Sequence, residues 1–205
     1  EQDEATRLLW LEARRRSPHW GEHLSAEDLE SLNEIAGVIK GHPLAIKLTA
    51  ALLPRRSLSS IRDELRRNPP KEVSERFDVS FNSLSEGQKD LFRRLAVFSS
   101  SMTEEAVGSV CIDGADSDWQ SNLGELERMS FLDRIEMAAQ DEFGKEFALH
   151  RYKLHPLMRQ YAAAKAGETL LARLRPKAAD YFLEYAQSSA GNLSTLGLEH
   201  DNLLA

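Results

Sequence analysis

The sequence predicts a mainly α-helical chain: a small helical bundle, then a second helical unit closed by one short β-hairpin, then further helices. Three observations predict it. Apolar residues recur three and four positions apart in segment after segment, as in Leu29, Leu32, Ile35, Ala36 and Ile39, the spacing that lines one face of an α-helix. One stretch alternates instead, with Phe147, Leu149 and Arg151 on one face and Ala148, His150, Tyr152 and Leu154 on the other, which is the period of a strand. Asn68-Pro69-Pro70 is the clearest punctuation in the chain and marks a domain boundary.

Taken in order, Asp3 is placed to cap a first helix with Ala5, Leu8 and Leu9 on its apolar stripe, fading near Pro18 after the solvated run Arg14-Arg15-Arg16. Ser25 and Asp28 make an approximate capping box for the second helix, because a hydroxyl and an acid three residues apart can each satisfy the other's backbone N–H. Gly41 stops that helix, and Pro43 starts a third through Leu44, Leu48, Ala51 and Leu52, ending before Pro54. Leu58, Ile61 and Leu65 give a fourth. Beyond the punctuation, Phe77, Phe81 and Leu84 form a short linking helix, and Ser85 with Gln88 is a capping box before Leu91, Phe92 and Leu95. Thr103 caps a helix through Ala106, Val107 and Val110, and Trp119, Leu123, Leu126 and Met129 recur at helical spacing. Phe131 to Ile135 reads as a strand, turned back by Gln140-Asp141-Glu142 and Gly144 into the alternating strand, which runs into a helix at Pro156. Three helices, strand, loop, strand and helix is the order of a winged-helix unit with an added C-terminal helix. Pro176 starts or kinks a helix carrying Ala178, Tyr181, Phe182 and Tyr185, and the tail 198–204 begins another. The expected organisation is a helical bundle over 1–70, a winged-helix domain over 71–167, and C-terminal helices over 168–205 that begin a helical-repeat, TPR-like array.

Composition narrows the function. Of 205 residues, 41% are hydrophobic and 29% charged, the balance of a globular protein able to bury a core. The net charge of −7 weighs against the unit as a whole binding nucleic acid. The single cysteine, Cys111, sits in an apolar run and is expected to be a buried thiol. No apolar run reaches the length of a membrane span and no signal peptide opens the sequence, so the expected location is cytoplasmic, without a membrane partner. Both ends, Glu1 and Leu203-Leu204-Ala205, look cut, which makes a fragment of a longer protein the expectation.

Two joints share a form. His42-Pro43 and His155-Pro156 each place proline at the first helical position and histidine at the cap. A histidine there stands near unpaired backbone donors, where an anion could be shared between them; a capping or half-buried histidine is the alternative for His155. Gly41-His42-Pro43-Leu44-Ala45 is similar to a Gly-Leu-Pro-Leu-Ala motif with histidine for the usual leucine. Leu154-His155-Pro156-Leu157 is similar to the motif written Met-His-Asp in plants and often Leu-His-Pro in bacterial relatives. With Leu95-Ala96-Val97-Phe98, these segments make the chain resemble the core of STAND-class signalling ATPases, the NB-ARC or AP-ATPase group that includes apoptotic ATPases, plant disease-resistance proteins and many bacterial regulators. The resemblance covers nearly the whole chain, in order.

That resemblance implies that Pro43, with Leu44 in the same site, packs against an adenine, and that His155 contacts the β-phosphate of ADP in a closed resting state. It implies ADP/ATP as cofactor, with Mg in the full-length parent, the protein's own nucleotide-binding domain as partner, and self-association of the parent on activation. The residues themselves lack a P-loop: the Gly144-Lys145 pair has Ala139 where the first glycine should stand, and Glu146 follows it. No independent enzyme is expected, and the six histidines show no metal-ligand spacing. The leading expectation is a nucleotide-dependent conformational and assembly switch. A DNA-binding winged-helix transcriptional regulator is the second, disfavoured because 116–128 carries Asp116, Asp118, Glu125 and Glu127 against Arg128 alone. A purely structural interaction module, with Tyr181 and Tyr185 as core or partner contacts, is the third.

Overall fold

Capping chemistry sets several helix starts in the computed structural model, which describes residues 2–68, 70, 74–114, 118–140, 145–189 and 193–204. Helices α1 (Gln2–Arg16), α2 (Ala26–Val38), α3 (Pro43–Leu52), α4 (Leu58–Arg67) and α5 (Asp78–Asn82), the last preceded by a 3-10 turn over Ser74–Phe77, come first. Then follow α6 (Glu86–Arg94), a 3-10 turn over Leu95–Val97, α7 (Glu104–Cys111), α8 (Trp119–Arg128), strands β1 (Asp133–Gln140) and β2 (Glu146–Lys153), α9 (Pro156–Ser188), α10 (Leu193–Leu198) and α11 (His200–Leu203). The Ser25–Asp28 box is complete: Asp28 N–H donates to Ser25 Oγ at 3.1 Å, and Ser25 N–H to Asp28 Oδ2 at 3.0 Å. Ser57 Oγ accepts from Ser60 N–H at 3.2 Å and Thr103 Oγ1 from Ala106 N–H at 3.1 Å. Among the described residues no helix is long and apolar enough to cross a membrane.

The chain divides into two compact units, Glu1–Ser85 with Arg128–Ser130, and Glu86–Glu127 with Phe131–Ala205. In the first, α1 packs on α2 and α3, and α2 on α4, burying Leu9, Leu32, Ile35, Ile46, Leu48 and Ile61. The division falls after Ser85 rather than at Asn68-Pro69-Pro70, of which Pro69 lies outside the described residues. The physical reason is that Phe77, Phe81 and Leu84 are each at least 96% buried, and their segment packs on α3 and α4. Apolar burial assigns a linker to the unit that covers it.

The second unit is built on α9, which packs against α6, α7, α11 and the 95–97 turn. Phe92, fully buried, meets Phe131 edge-on at 5.1 Å and Tyr161 at 6.1 Å, the offset geometry that aromatic quadrupoles favour. β1 and β2 form an antiparallel hairpin with Ile135 opposite Arg151, Met137 opposite Leu149 and Ala139 opposite Phe147; Met102 bridges Tyr152 on the other side of β2. Among the described residues a mainly helical architecture with one small antiparallel sheet is thus observed, with the hairpin where a wing belongs.

Three local readings change. The helix begins at Gln2, so Asp3 lies inside it rather than capping it. Strand β1 begins at Asp133, because Phe131 and Leu132 are consecutive and both at least 98% buried, which alternation forbids; the turn 141–144 lies outside the described residues. The backbone break in the long C-terminal helix is at Gly167 (φ 73°, ψ 159°), while Pro176 sits within α9 on an exposed face. Only glycine adopts those angles without strain, whereas Ala172, whose carbonyl loses its helical donor at Pro176, is an exposed residue. Residues 168–205, expected as separate helices, belong to the second unit through buried Leu171, Leu174 and Phe182.

Candidate functional site

The first joint is a sharp reversal between α2 and α3. Lys40 and Gly41 have φ of 50° and 64°, two consecutive left-handed residues that turn the chain within one step. A Cβ on Gly41 would meet nothing nearer than the Ala5 Cβ at 3.6 Å, so backbone conformation rather than space calls for glycine here. His42 follows in an extended conformation, its carbonyl accepting from Ile46 N–H at 2.9 Å, with no side-chain cap bond. Its ring stands edge-on to Phe77 at 6.1 Å, which explains how an imidazole occupies a place the motif gives to leucine: the contact uses the ring as an apolar surface. Pro43 is the first helical residue and is exposed, Leu44 is half-buried, and Ala45 is fully buried. The pyrrolidine ring is therefore a rigid, exposed apolar face, anchored by the buried Ala45 and Ile46 behind it.

At the second joint β2 ends at Lys153, Leu154 is buried, and His155 caps α9 with Pro156 as its first residue. Leu157 N–H donates to His155 Nδ1 at 3.2 Å, and Arg159 N–H to the His155 carbonyl at 2.9 Å. An Nδ1 that accepts cannot carry the ring proton, so in the neutral ring the proton is on Nε2. His155 is exposed. His155 thus caps the helix through one nitrogen, as the capping alternative expects, and its other ring nitrogen stands beside a helix N-terminus, where partial positive charge favours an anion.

Pro43 and Leu44 belong to the first unit and His155 to the second. A depression of about 570 Å³ in the first unit lies beside Lys40 and Gly41, lined also by Ala5, Leu8 and Ile46; a larger one of about 680 Å³ in the second lies among Ala96, Leu171, Phe182 and Leu203. Neither Pro43 nor His155 lines either. Among the described residues no three His, Cys, Asp or Glu side chains gather as a metal site requires. Cys111 is buried, and burial pushes its thiol up to about 12, which keeps it protonated and unreactive at neutral pH.

Helix α8 buries Leu123 and Leu126 and exposes Gln120 and Arg128, and Asp118 just before it is exposed as well; Asp116 lies outside the described residues. Arg151, which alternation puts on an apolar strand face, is fully buried and holds a polar network with Ser101 and Glu199. A charge at a core position of an alternating strand was the signal.

No protein-family model matches the chain. Disease resistance protein RPP2A of Arabidopsis thaliana is 33% identical over 70 residues, which cover 33% of this chain and 5% of that protein. Disease resistance protein RPP2B of the same plant is 30% identical over 145 residues, 64% of this chain and 12% of that protein. A Mycobacterium bovis protein that carries the name HTH-type transcriptional regulator Mb0914c is 30% identical over 203 residues, 91% of this chain and 22% of that protein. The chain spans about a fifth of the length of the mycobacterial relative and less of the plant ones. At these identities the chain is coarsely linked to plant disease-resistance proteins and to a bacterial protein named as a helix-turn-helix regulator.

Proposed function

We propose that this chain is the regulatory part of a STAND-type signalling ATPase. In the closed state the helical unit and the winged-helix unit cover an adenine nucleotide held chiefly by a P-loop domain outside this chain, and on activation they move away. ADP is the resting ligand, with Mg·ATP the exchanging one; the chain itself performs no hydrolysis. The observation that carries the reading is the hydrogen-bond geometry of His155, whose Nδ1 is engaged by Leu157 N–H, which leaves Nε2 of the neutral ring to donate at an exposed helix N-terminus. Such a donor hydrogen-bonds a phosphate oxygen, and a contact made in one state alone supplies the differential affinity that a ligand-driven switch needs. The exposed Pro43 ring supports it as an apolar wall for a base. Once released, the same units are free to take part in self-association of the parent.

The second reading, a DNA-binding winged helix, draws on the printed name of the mycobacterial relative. Asp118, just before α8, and Glu125 and Glu127 on it oppose it, since phosphate contacts dominate protein–DNA affinity. The experiment is to purify the chain together with its upstream sequence, denature it, and quantify released nucleotide. Near-stoichiometric adenine nucleotide is expected, with no site-specific duplex binding. A nucleotide-free protein that binds neither ADP nor Mg·ATP, or one that selects a single duplex site at physiological salt, contradicts the proposal.

A further inference from the structure

The C-terminal segment α10–α11 is attached to the second unit in an unusual way. Of residues 196–204 the buried ones are Glu199 and Asn202, at 2% and 7% exposure, while Leu204 is 75% exposed and Leu196, Leu198 and Leu203 are half-buried. The two buried side chains are polar, and the leucines around them are only partly covered or exposed. Beneath them lies Arg151 of β2, fully buried, which donates through Nε to Ser101 Oγ at 2.8 Å, through Nη2 to the Ser101 carbonyl at 2.7 Å, and through Nη1 to Glu199 Oε1. Asn202 closes the arrangement. Its Oδ1 accepts from Ser99 N–H (3.1 Å) and Ser100 N–H (2.9 Å), and its Nδ2 donates to the Ser101 carbonyl and to Glu199 Oε2, both at 2.8 Å. Every hydrogen-bonding position of the Asn202 amide is used. α10 contacts β1 and α11 contacts α9, so the segment crosses from the hairpin to the long helix.

We infer that α10–α11 is a detachable strap, keyed to the hairpin and the 99–101 loop by this buried charged clasp rather than by apolar burial. A buried ion pair offsets most of its own desolvation, so it contributes little net stability, but removal of one partner strands the other charge in the interior. Such a clasp therefore fixes one docked register strongly and a loosely apolar segment above it weakly. Segments with few buried apolar contacts open locally, with free energies well below that of global unfolding. The strap is accordingly the element of the second unit that releases first, and the clasp is the site at which a change in whatever adjoins it would be felt by β2. The inference does not depend on the nucleotide reading.

The test is hydrogen–deuterium exchange and limited proteolysis of the full chain in three variants. Asn202→Asp is nearly isosteric, yet it replaces the Nδ2 donor with an acceptor facing the Ser101 carbonyl and Glu199. It is expected to raise amide exchange over 196–204 by about tenfold or more and to open a protease cut at the strap, with exchange in α6, α7 and the first half of α9 unchanged. Glu199→Gln, which leaves the buried Arg151 charge without its counter-ion, is expected to do at least as much. Arg151→Met with Glu199→Leu removes both charges and guards against a variant that fails to fold: it should keep the wild-type melting temperature or exceed it, while the strap loses its protection. Unchanged strap exchange in Asn202→Asp overturns the inference. So does loss of protection across the whole second unit in the double variant, since the strap would then be an integral part of the core.

Discussion

Replacing His155 separates its two roles, and the first is measurable in this chain without any ligand. His155→Ala removes the acceptor for Leu157 N–H and leaves one first-turn donor of α9 without its partner. N-cap losses run about 0.5–2 kcal/mol. The bond here is long, at 3.2 Å, and exposed, which places the loss at the low end, about 0.5–1 kcal/mol. For a unit somewhat above 100 residues such a loss lowers the melting temperature by roughly 2–5 °C. His155→Asn is the companion: asparagine is among the best N-caps, so its melting temperature should match or exceed that of the wild type. Thermal melts by circular dichroism give both numbers, and nitrogen-15 shifts of the imidazole report whether Nδ1 is the unprotonated nitrogen. If His155→Ala melts with the wild type and the ring carries its proton on Nδ1, the cap is not formed and the argument for an available Nε2 donor fails with it.

Two further perturbations test other parts of the account. Gly41→Ala keeps ordinary contacts but forces a Cβ into a left-handed residue, which should destabilise the first unit by about 1–2 kcal/mol; Lys40→Gly, at φ 50°, should be close to neutral, and equal effects from both on a melting curve would refute the backbone explanation. Asp113 accepts from Lys177 and Arg94, whose bonds hold its carboxyl well below the usual carboxylate range. The stability it contributes is therefore complete above the unfolded-state pKa of about 3.9 and is lost as pH falls through the lower folded value. Because its side chain is 46% exposed, Asp113→Asn should cost about 1 kcal/mol or less near neutral pH, and the two melting temperatures should converge as pH is taken well below 4; a gap that persists in acid would point to packing instead.

Legibility varied with the range of the physics involved. The Ser25–Asp28 box, the Thr103 cap and the two proline starts were readable because each is decided within four residues. The hairpin faces were readable too, Arg151 included, because alternation is a local period. The partner of Arg151 was not: Glu199 lies 48 positions away, and nothing in its neighbourhood distinguishes it from a solvated acid. The linking helix went to the wrong side of the boundary because Asn68-Pro69-Pro70 is a strong local breaker, while the burial of Phe77 and Phe81 against α3 and α4 is a long-range fact. Gly167 and Pro176 show the same contrast, since proline looks the stronger breaker in sequence but an exposed face accommodates it. For the candidate site, residue identities at both joints were legible, whereas the division of labour between the two nitrogens of His155 required the geometry of Leu157.

The most direct measurement is the rate of ADP release from the protein carrying its upstream nucleotide-binding sequence, wild type against His155→Asn. Asparagine keeps the cap and lacks the Nε2 donor, so folding and phosphate contact are separated. The loss of a hydrogen bond to a charged group is about 1.5–3 kcal/mol, and release should be roughly tenfold to hundredfold faster at an unchanged melting temperature, with the oligomeric state shifted toward assembly. Pro43→Ala should weaken ADP and ATP alike and shift assembly less. Unchanged ADP release in a well-folded His155→Asn protein would contradict the account and leave His155 as a helix cap alone.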